Sequence, residues 1–250
     1  MATALYNLAH LYLKLRKYDQ AEPLFQRALH IDEQHMGPEH PSVADRAVGL
    51  AALYYEQGQY ARTEQLCQRA LRIYEQHLRP EHLSVAYPLH LLALVAGKYG
   101  KDEESERLDR QALRIWEGQL GAEHPSVARA LHGLALLSAR QGRESQAEAL
   151  FQRALRIRQQ RMGETHLETA QILDDFAGFQ QAQGRTQEAA VLYQRALTTR
   201  EHVLGLDHPL TLDTRARLQQ VLVALEQARE TTPPEAGSSS TTSGQVRRRT

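Results

Sequence analysis

Cysteine is nearly absent from this 250-residue chain, with Cys67 alone present. A single thiol excludes an intramolecular disulfide framework and a cysteine-rich zinc module. Net charge is absent too. Thirty Lys and Arg stand against thirty Asp and Glu, which excludes a broadly basic nucleic-acid binder and a polyanionic chain. No apolar run approaches the roughly 18 residues of a membrane span; Leu89 to Gly97 is the richest stretch and it is short. The opening MATALYNLAHLYLKLRKY lacks a basic region followed by an apolar one, so no signal peptide is expected. The expected setting is reducing and cytoplasmic, without membrane association. No segment alternates apolar and polar residues with a period of two, so no sheet is expected. Glycine-rich phosphate loops, G-x-S-x-G and H-E-x-x-H are all missing. No cofactor is expected, and the chain does not read as an enzyme.

What is present is a repeat. His-Pro or His-Leu recurs at His40, His82, His124, His166 and His208, each step 42 residues with no insertion. QRAL starts at Gln26, Gln68, Gln152 and Gln194, and an inverted RQAL starts at Arg110. Two landmarks in one fixed register define the repeat. Aligning the units gives columns of small residues. One is Ala9, Ala51, Ala93, Ala135 and Ala177; another is Ala28, Ala70, Ala112, Ala154 and Ala196. A third is Ala21, Thr63, Ser105, Ala147 and Ala189. Small side chains at fixed helical places let two backbones approach closely. Leu29, Leu71, Leu113, Leu155 and Leu197 supply apolar fill.

Each unit reads as two helices, A and B. In the second unit Ser42 is a good N-cap after Pro41, and Val43, Ala47, Leu50, Ala51 and Tyr54 follow at helical spacing. Gly58 ends helix A, as Gly100, Gly142 and Gly184 do later. Helix B runs from about Tyr60 to Leu78. Pro88 should fray or shift the start of the third helix A. One such hairpin cannot bury its apolar faces; stacking the next one does. The predicted fold is all-α, a right-handed α-solenoid of five helical hairpins with units 1–39, 40–81, 82–123, 124–165 and 166–207, closed by a capping helix over 210–229.

The two ends differ. Met1 shares a column with Val43, so the first unit begins inside helix A with Leu5 and Leu8 uncovered by any preceding unit. The expectation is a truncated longer array or self-association through this N-terminal face. In the last helix Gln219 occupies the alanine column, and Arg215 and Gln220 make it more polar, as a solvating cap requires. Residues 230–250 are rich in Pro, Gly, Ser and Thr and are expected as a disordered tail.

At this point the residues carry a family resemblance. ALYNLAHLYLKLRKYDQAEPLFQRALHIDEQHMGPEHPSVA resembles the 42-residue tetratricopeptide repeat of kinesin light chains and of many bacterial multi-repeat proteins. All five units carry it. The Arg-rich usage with four lysines points to a bacterial source. The resemblance implies a superhelix whose A helices line a concave groove for extended peptides or partner domains. In kinesin light chains helix A tends to carry asparagines that hold the peptide backbone. Here that column reads Asn7, Gly49, Leu91, Gly133 and Asp175, so only Asn7 matches.

By the repeat's geometry the groove contacts fall opposite the alanine column. The candidate partner-binding residues are Tyr6, Asn7, His10, Lys14, Tyr55, Tyr87, His90, Lys98, Arg129, His132, Arg140 and Asp174. Lys98, Arg129, Arg140, His90 and His132 make the middle mildly basic, with Asp45, Glu56 and Asp174 flanking it. The expected partner is a protein or peptide with an acidic centre. The chain is expected to be a non-catalytic scaffold, alternatively a peptide-sensing array that changes superhelical shape. RNA binding is disfavoured by the neutral charge and the lack of a repeated base-reading pair. Twelve histidines invite a metal, but the histidine column is spaced a full repeat apart, too far to share an ion. Cys67 shares a column with Phe25, Asp109, Phe151 and Tyr193, so packing is expected there, and no His/Asn arrangement marks it as a nucleophile. Trp116, in line with Tyr74 and Asp32, reads as surface or inter-repeat packing.

Overall fold

The computed structural model describes residues 1–231. Eleven helices occupy them: α1 (Ala2–Lys14), α2 (Tyr18–Met36), α3 (Pro41–Glu56), α4 (Tyr60–His77), α5 (Leu83–Lys98), α6 (Asp102–Leu120), α7 (Pro125–Arg140), α8 (Glu144–Met162), α9 (Leu167–Ala182), α10 (Thr186–Leu204) and α11 (Pro209–Thr231). No strand occurs among the described residues. The stretch expected as a tail lies, from residue 232 onward, outside them.

Odd-numbered helices are the A helices and even-numbered ones the B helices. Each A helix packs on its own B helix, and each B helix on the next A helix. The A helices also touch in succession, α1 with α3, α3 with α5, α5 with α7 and α7 with α9. That approach curves the file toward them. The result is a right-handed α-solenoid with A helices inside and B helices outside, as the sequence predicts. The two alanine columns explain how the hairpin closes: Ala51, Ala93, Ala135, Ala70, Ala112 and Ala154 are all fully buried. In the third small column Thr63 donates its hydroxyl to the Ala51 carbonyl (3.3 Å) and Ser105 donates to the Ala93 carbonyl (2.8 Å). These hydroxyls are satisfied on the facing helix, so the two backbones meet without an orphaned polar group.

Two local expectations are corrected. The N-cap of α3 is His40, not Ser42. Its ring Nδ1 accepts from the Ser42 amide at 3.1 Å, and Pro41 fills the first helical position. His82, His124, His166 and His208 cap α5, α7, α9 and α11 in the same way. The recurring histidine is therefore the device that starts every A helix after the first. Pro88 does not shift α5, which begins at Leu83 in register with the other units. Pro88 is buried, and burying its ring offsets the lost hydrogen bond. Helix α4 ends at His77, with Leu78 extended at its C-cap.

The turn from A to B needs a left-handed residue: Gly142 takes φ +70°, and in the first unit Arg16 is forced to φ +56° at the same place. Helix α1 packs chiefly on α2 and α3. Leu11 is 53% exposed, whereas Leu53, Val95 and Leu137 in its column are buried. At the other end Leu218 and Val221 of α11 pack against α10, and Gln219 is exposed.

Candidate functional site

The inner face is built from three rows of A-helix side chains. The first is Tyr6, Val48, His90, His132 and Asp174, and it is turned into the seams between units. Tyr6 lies edge-on to Phe25 of its own B helix at 5.5 Å and donates to the Asp45 carbonyl of the next A helix at 3.1 Å. Its ring occupies the space a side chain at residue 49 would need, so that residue is Gly49. His90 is buried with Nδ1 2.6 Å from Asp109 Oδ1, and Trp116 packs edge-on to its ring at 5.7 Å. Asp109 and His90 fill the space beside Gly133. The asparagine column thus holds glycine twice because a neighbouring unit's side chain claims the site. Asp174 is buried, accepts from Thr214 and Arg217 at 2.9 Å each, and lies 3.3 Å from Arg200. His132 Nε2 is 2.9 Å from Asp175 Oδ2, which also accepts from Gln171.

The second row is Thr3, Asp45, Tyr87, Arg129 and Gln171. Arg129 donates to Glu168 at 3.1 Å and lies over the Tyr87 ring at 5.1 Å. Buried Arg158 of α8 pairs with the same Glu168. The third row, Lys14, Glu56, Lys98 and Arg140, is exposed along the A–B turns. Arg140 donates to the Gly97 carbonyl (2.9 Å) and to Asp102 (2.8 Å). Between these rows His10, Tyr55, Leu94 and Leu136 form a half-buried floor.

The electrostatics follow from burial and pairing. Burial, with the Asp45 carboxylate, pushes the Tyr6 hydroxyl up to about 12. Burial also raises Tyr55, and Tyr87 against the pull of Arg129. Burial and then the Lys14 and Arg46 charges lower His10. Burial raises Asp109 despite His90 beside it. Asp175 goes the other way: burial would raise it, but the His132 hydrogen bond and charge hold it below the usual carboxylate range.

Of the expected contact residues, Asn7, Lys14, Lys98 and Arg140 are exposed. Tyr6, His10, Tyr55, Tyr87, Arg129 and His132 are half-buried. His90 and Asp174 are buried and bonded to neighbouring helices, away from the open surface of this face. The basic middle is also largely neutralised, since Arg129, Arg140 and His132 each face a carboxylate supplied by an adjoining unit. The polar seam roles of Asp109, expected only as a packing position, and of Arg158 and Arg200 are not foreseen from the sequence. Their signal was a charge in a column where other units place Phe25, Phe151 and Tyr193, or Tyr74 and Trp116.

Among the described residues no three His, Cys, Asp or Glu side chains gather as a metal site, and no helix is long and apolar enough to cross a membrane. The family model described as tetratricopeptide repeat matches residues 1–76, 46–115, 84–160 and 139–202. No curated protein matches the chain. Among solved structures it is similar to a kinesin light chain-type protein of Podosopora anserina with nearly identical TPR-like repeats, at 25% identity, TM-score 0.58, over 81% of this chain and 95% of that one. It is similar in fold to BtubC (BKLC) from P. vanneervenii, at 17% identity and TM-score 0.60, over 94% and 98% of the two chains. It is similar in fold also to a Rap protein complexed with competence and sporulation factor, at 16% identity and TM-score 0.66, over 90% of this chain and 64% of that one. Four overlapping matches to one repeat model, on a file of stacked helical hairpins, place the chain in the tetratricopeptide repeat family.

Proposed function

We propose that the concave face binds a segment of a partner protein or a peptide. Proteins of this repeat type are generally non-catalytic interaction scaffolds. The observation that carries the reading is the half-buried floor of His10, Tyr55, Leu94 and Leu136, with Tyr87 in the row beside it, which changes from unit to unit over alanine columns that do not. Half-exposed aromatic and aliphatic side chains are the anchors such interfaces use. Lys14 and Lys98 are the exposed lysines of this face, so an acidic residue in the partner would meet them rather than the neutralised Arg129 and Arg140. Peptides selected by the full chain from a displayed random library should lose at least tenfold in affinity on Lys98→Glu with Leu94→Ala, with the helical circular dichroism unchanged. Equal affinity in that variant, or no enrichment at all, refutes the reading.

A second reading is a peptide sensor, favoured by the fold shared with the peptide-complexed Rap protein. A selected peptide should then shift the small-angle scattering curve; an unchanged curve leaves a rigid scaffold. Self-association rests on the exposure of Leu8 and Leu11 on α1. Sedimentation that stays monomeric at high concentration excludes it.

A further inference from the structure

The outer face carries a feature that the inner-face reading does not use. Adjacent B helices are stapled by arginines. Near one end of the seam, Arg143 at the N-cap of α8 donates to Glu106 of α6, and Arg185 at the N-cap of α10 donates to Glu148 of α8, both at 2.8 Å. Near the other end, Arg69 of α4 donates to Glu33 of α2, and Arg153 of α8 to Glu117 of α6, both at 2.7 Å. Arg69 and Arg153 also donate to carbonyls of the inter-unit loop, at Pro38 and Ala122.

Between α4 and α6 both staples are missing. Lys101, the N-cap of α6, stands in the Arg143 column, and it lies 3.9 Å from Glu104 in the first turn of α6 instead of reaching back to α4. Gln111 stands in the Arg153 column because QRAL is inverted to RQAL in this unit. The displaced Arg110 pairs with Glu106 one turn away on α6. Glu64 and Glu75 of α4 occupy the columns of Glu106 and Glu117, and no cation of α6 pairs with them. Ala96 adds room: its counterpart in the preceding unit, Tyr54, reaches into the α2–α4 seam and donates to Glu22 at 3.0 Å.

A crevice of about 510 Å3 opens as a result, floored by Leu71, Leu89, Leu92 and Leu108, with Glu64 and Glu75 along its α4 wall. That volume falls in the range of ligand-binding clefts. Lys101, Glu104 and Arg107 line the α6 wall, and Arg79, in the loop after α4, lines the crevice as well. The two glutamates stand 11 residues apart, about 16 Å along the helix axis. An apolar trough whose α4 wall carries two unstapled carboxylates suits the apolar stripe and basic flank of an amphipathic helix.

We propose that this crevice docks a basic amphipathic helix of a partner protein. Leucine-type side chains of the partner lie on the floor, and its Arg or Lys residues, three helical turns apart, take the places of the missing arginines at Glu64 and Glu75. Charge-assisted pairs of this kind carry geometric specificity as well as attraction. The cationic side of the α6 wall, at Arg107, sets the helix so that its basic flank faces α4.

The test uses the full chain and a displayed library of 18-residue helices with a fixed leucine stripe and randomised flanks. Enriched members should carry Arg or Lys on one flank. Their affinity should fall at least tenfold on Gln111→Arg, which restores the staple to Glu75, and on Glu75→Ala. The Gln111→Arg variant should melt no lower than the parent, which separates closure of the slot from misfolding. Lys98→Glu with Leu94→Ala, on the inner face, should leave this binding unchanged, so failure here and failure of the concave-face reading are distinguishable. No enrichment, enrichment of acidic flanks, or affinity unaffected by both outer-face variants overturns the proposal.

Discussion

Replacing one capping histidine tests how the repeat starts its helices. At α7 the His124 Nδ1 accepts from the Ser126 amide at 3.1 Å, satisfying one of the amides that a helix N-terminus leaves without a partner. Alanine there removes the acceptor. Loss of a side-chain N-cap costs about 0.5–2 kcal/mol, and solvent at this half-exposed site holds the effect near 1 kcal/mol. The same bond predicts a pH dependence. Only a neutral imidazole can accept at Nδ1; a doubly protonated ring cannot, and its charge opposes the positive end of the helix dipole. Burial, then Arg161, Arg158 and Arg129, lower the pKa of His124 below the ordinary 6.5. His166 and His208 are lowered in the same direction, with burial again the main cause. A lowered folded-state pKa means that the unfolded chain binds more protons as pH falls through 6.5. The stabilisation is therefore complete above about pH 6.5, and it is lost as pH drops from there through the folded-state values. Urea denaturation followed by circular dichroism at pH 7.5 and pH 5.0 checks both points. His124→Ala should lose about 1 kcal/mol at pH 7.5. His124→Asn, which caps without titrating, should stay close to the parent at pH 7.5 and lose less than the parent on acidification. An alanine variant as stable as the parent, or an unchanged acid loss in His124→Asn, refutes the capping argument.

Three further outcomes follow from packing. Leu53→Ala should cost about 2–5 kcal/mol because Leu53 is fully buried, while Leu11→Ala in the same column should stay within about 0.5 kcal/mol because Leu11 is exposed; parallel urea titrations compare them. Gly133→Ala would drive a methyl group into Asp109 and should lower stability by about 1–3 kcal/mol, with a change in the His90 ring resonances by NMR as the local signature. The Cys67 thiol is buried and its pKa is raised to about 12 by that burial. It should resist iodoacetamide at pH 8 in the native chain and react once urea unfolds α4; rapid native alkylation would contradict the packing.

Much of the architecture is legible in the letters. The fixed period, the alanine columns and the left-handed turn glycines act within one hairpin or between immediate neighbours, so each unit states the same local requirements. The RQAL inversion was visible as well, yet its consequence depends on Glu75 of the preceding unit, 36 residues away, and only the seam shows that Gln111 leaves it unstapled. The histidine column could be found but not interpreted, because an imidazole acceptor is outside the usual set of capping side chains.

The inner face is where local reasoning stops. Helical spacing places His90 and His132 in one column, yet Asp109 on the following B helix draws His90 into the core and leaves His132 at the edge. The chain by itself determined that identical hairpins stack in single file, since period and small-residue columns act over one or two helices. Which charges stay exposed and which neutralise one another was decided only by the tertiary structure. A side chain's direction in a seam depends on the size and charge of a residue one unit away, and no periodicity within a single helix encodes that neighbour.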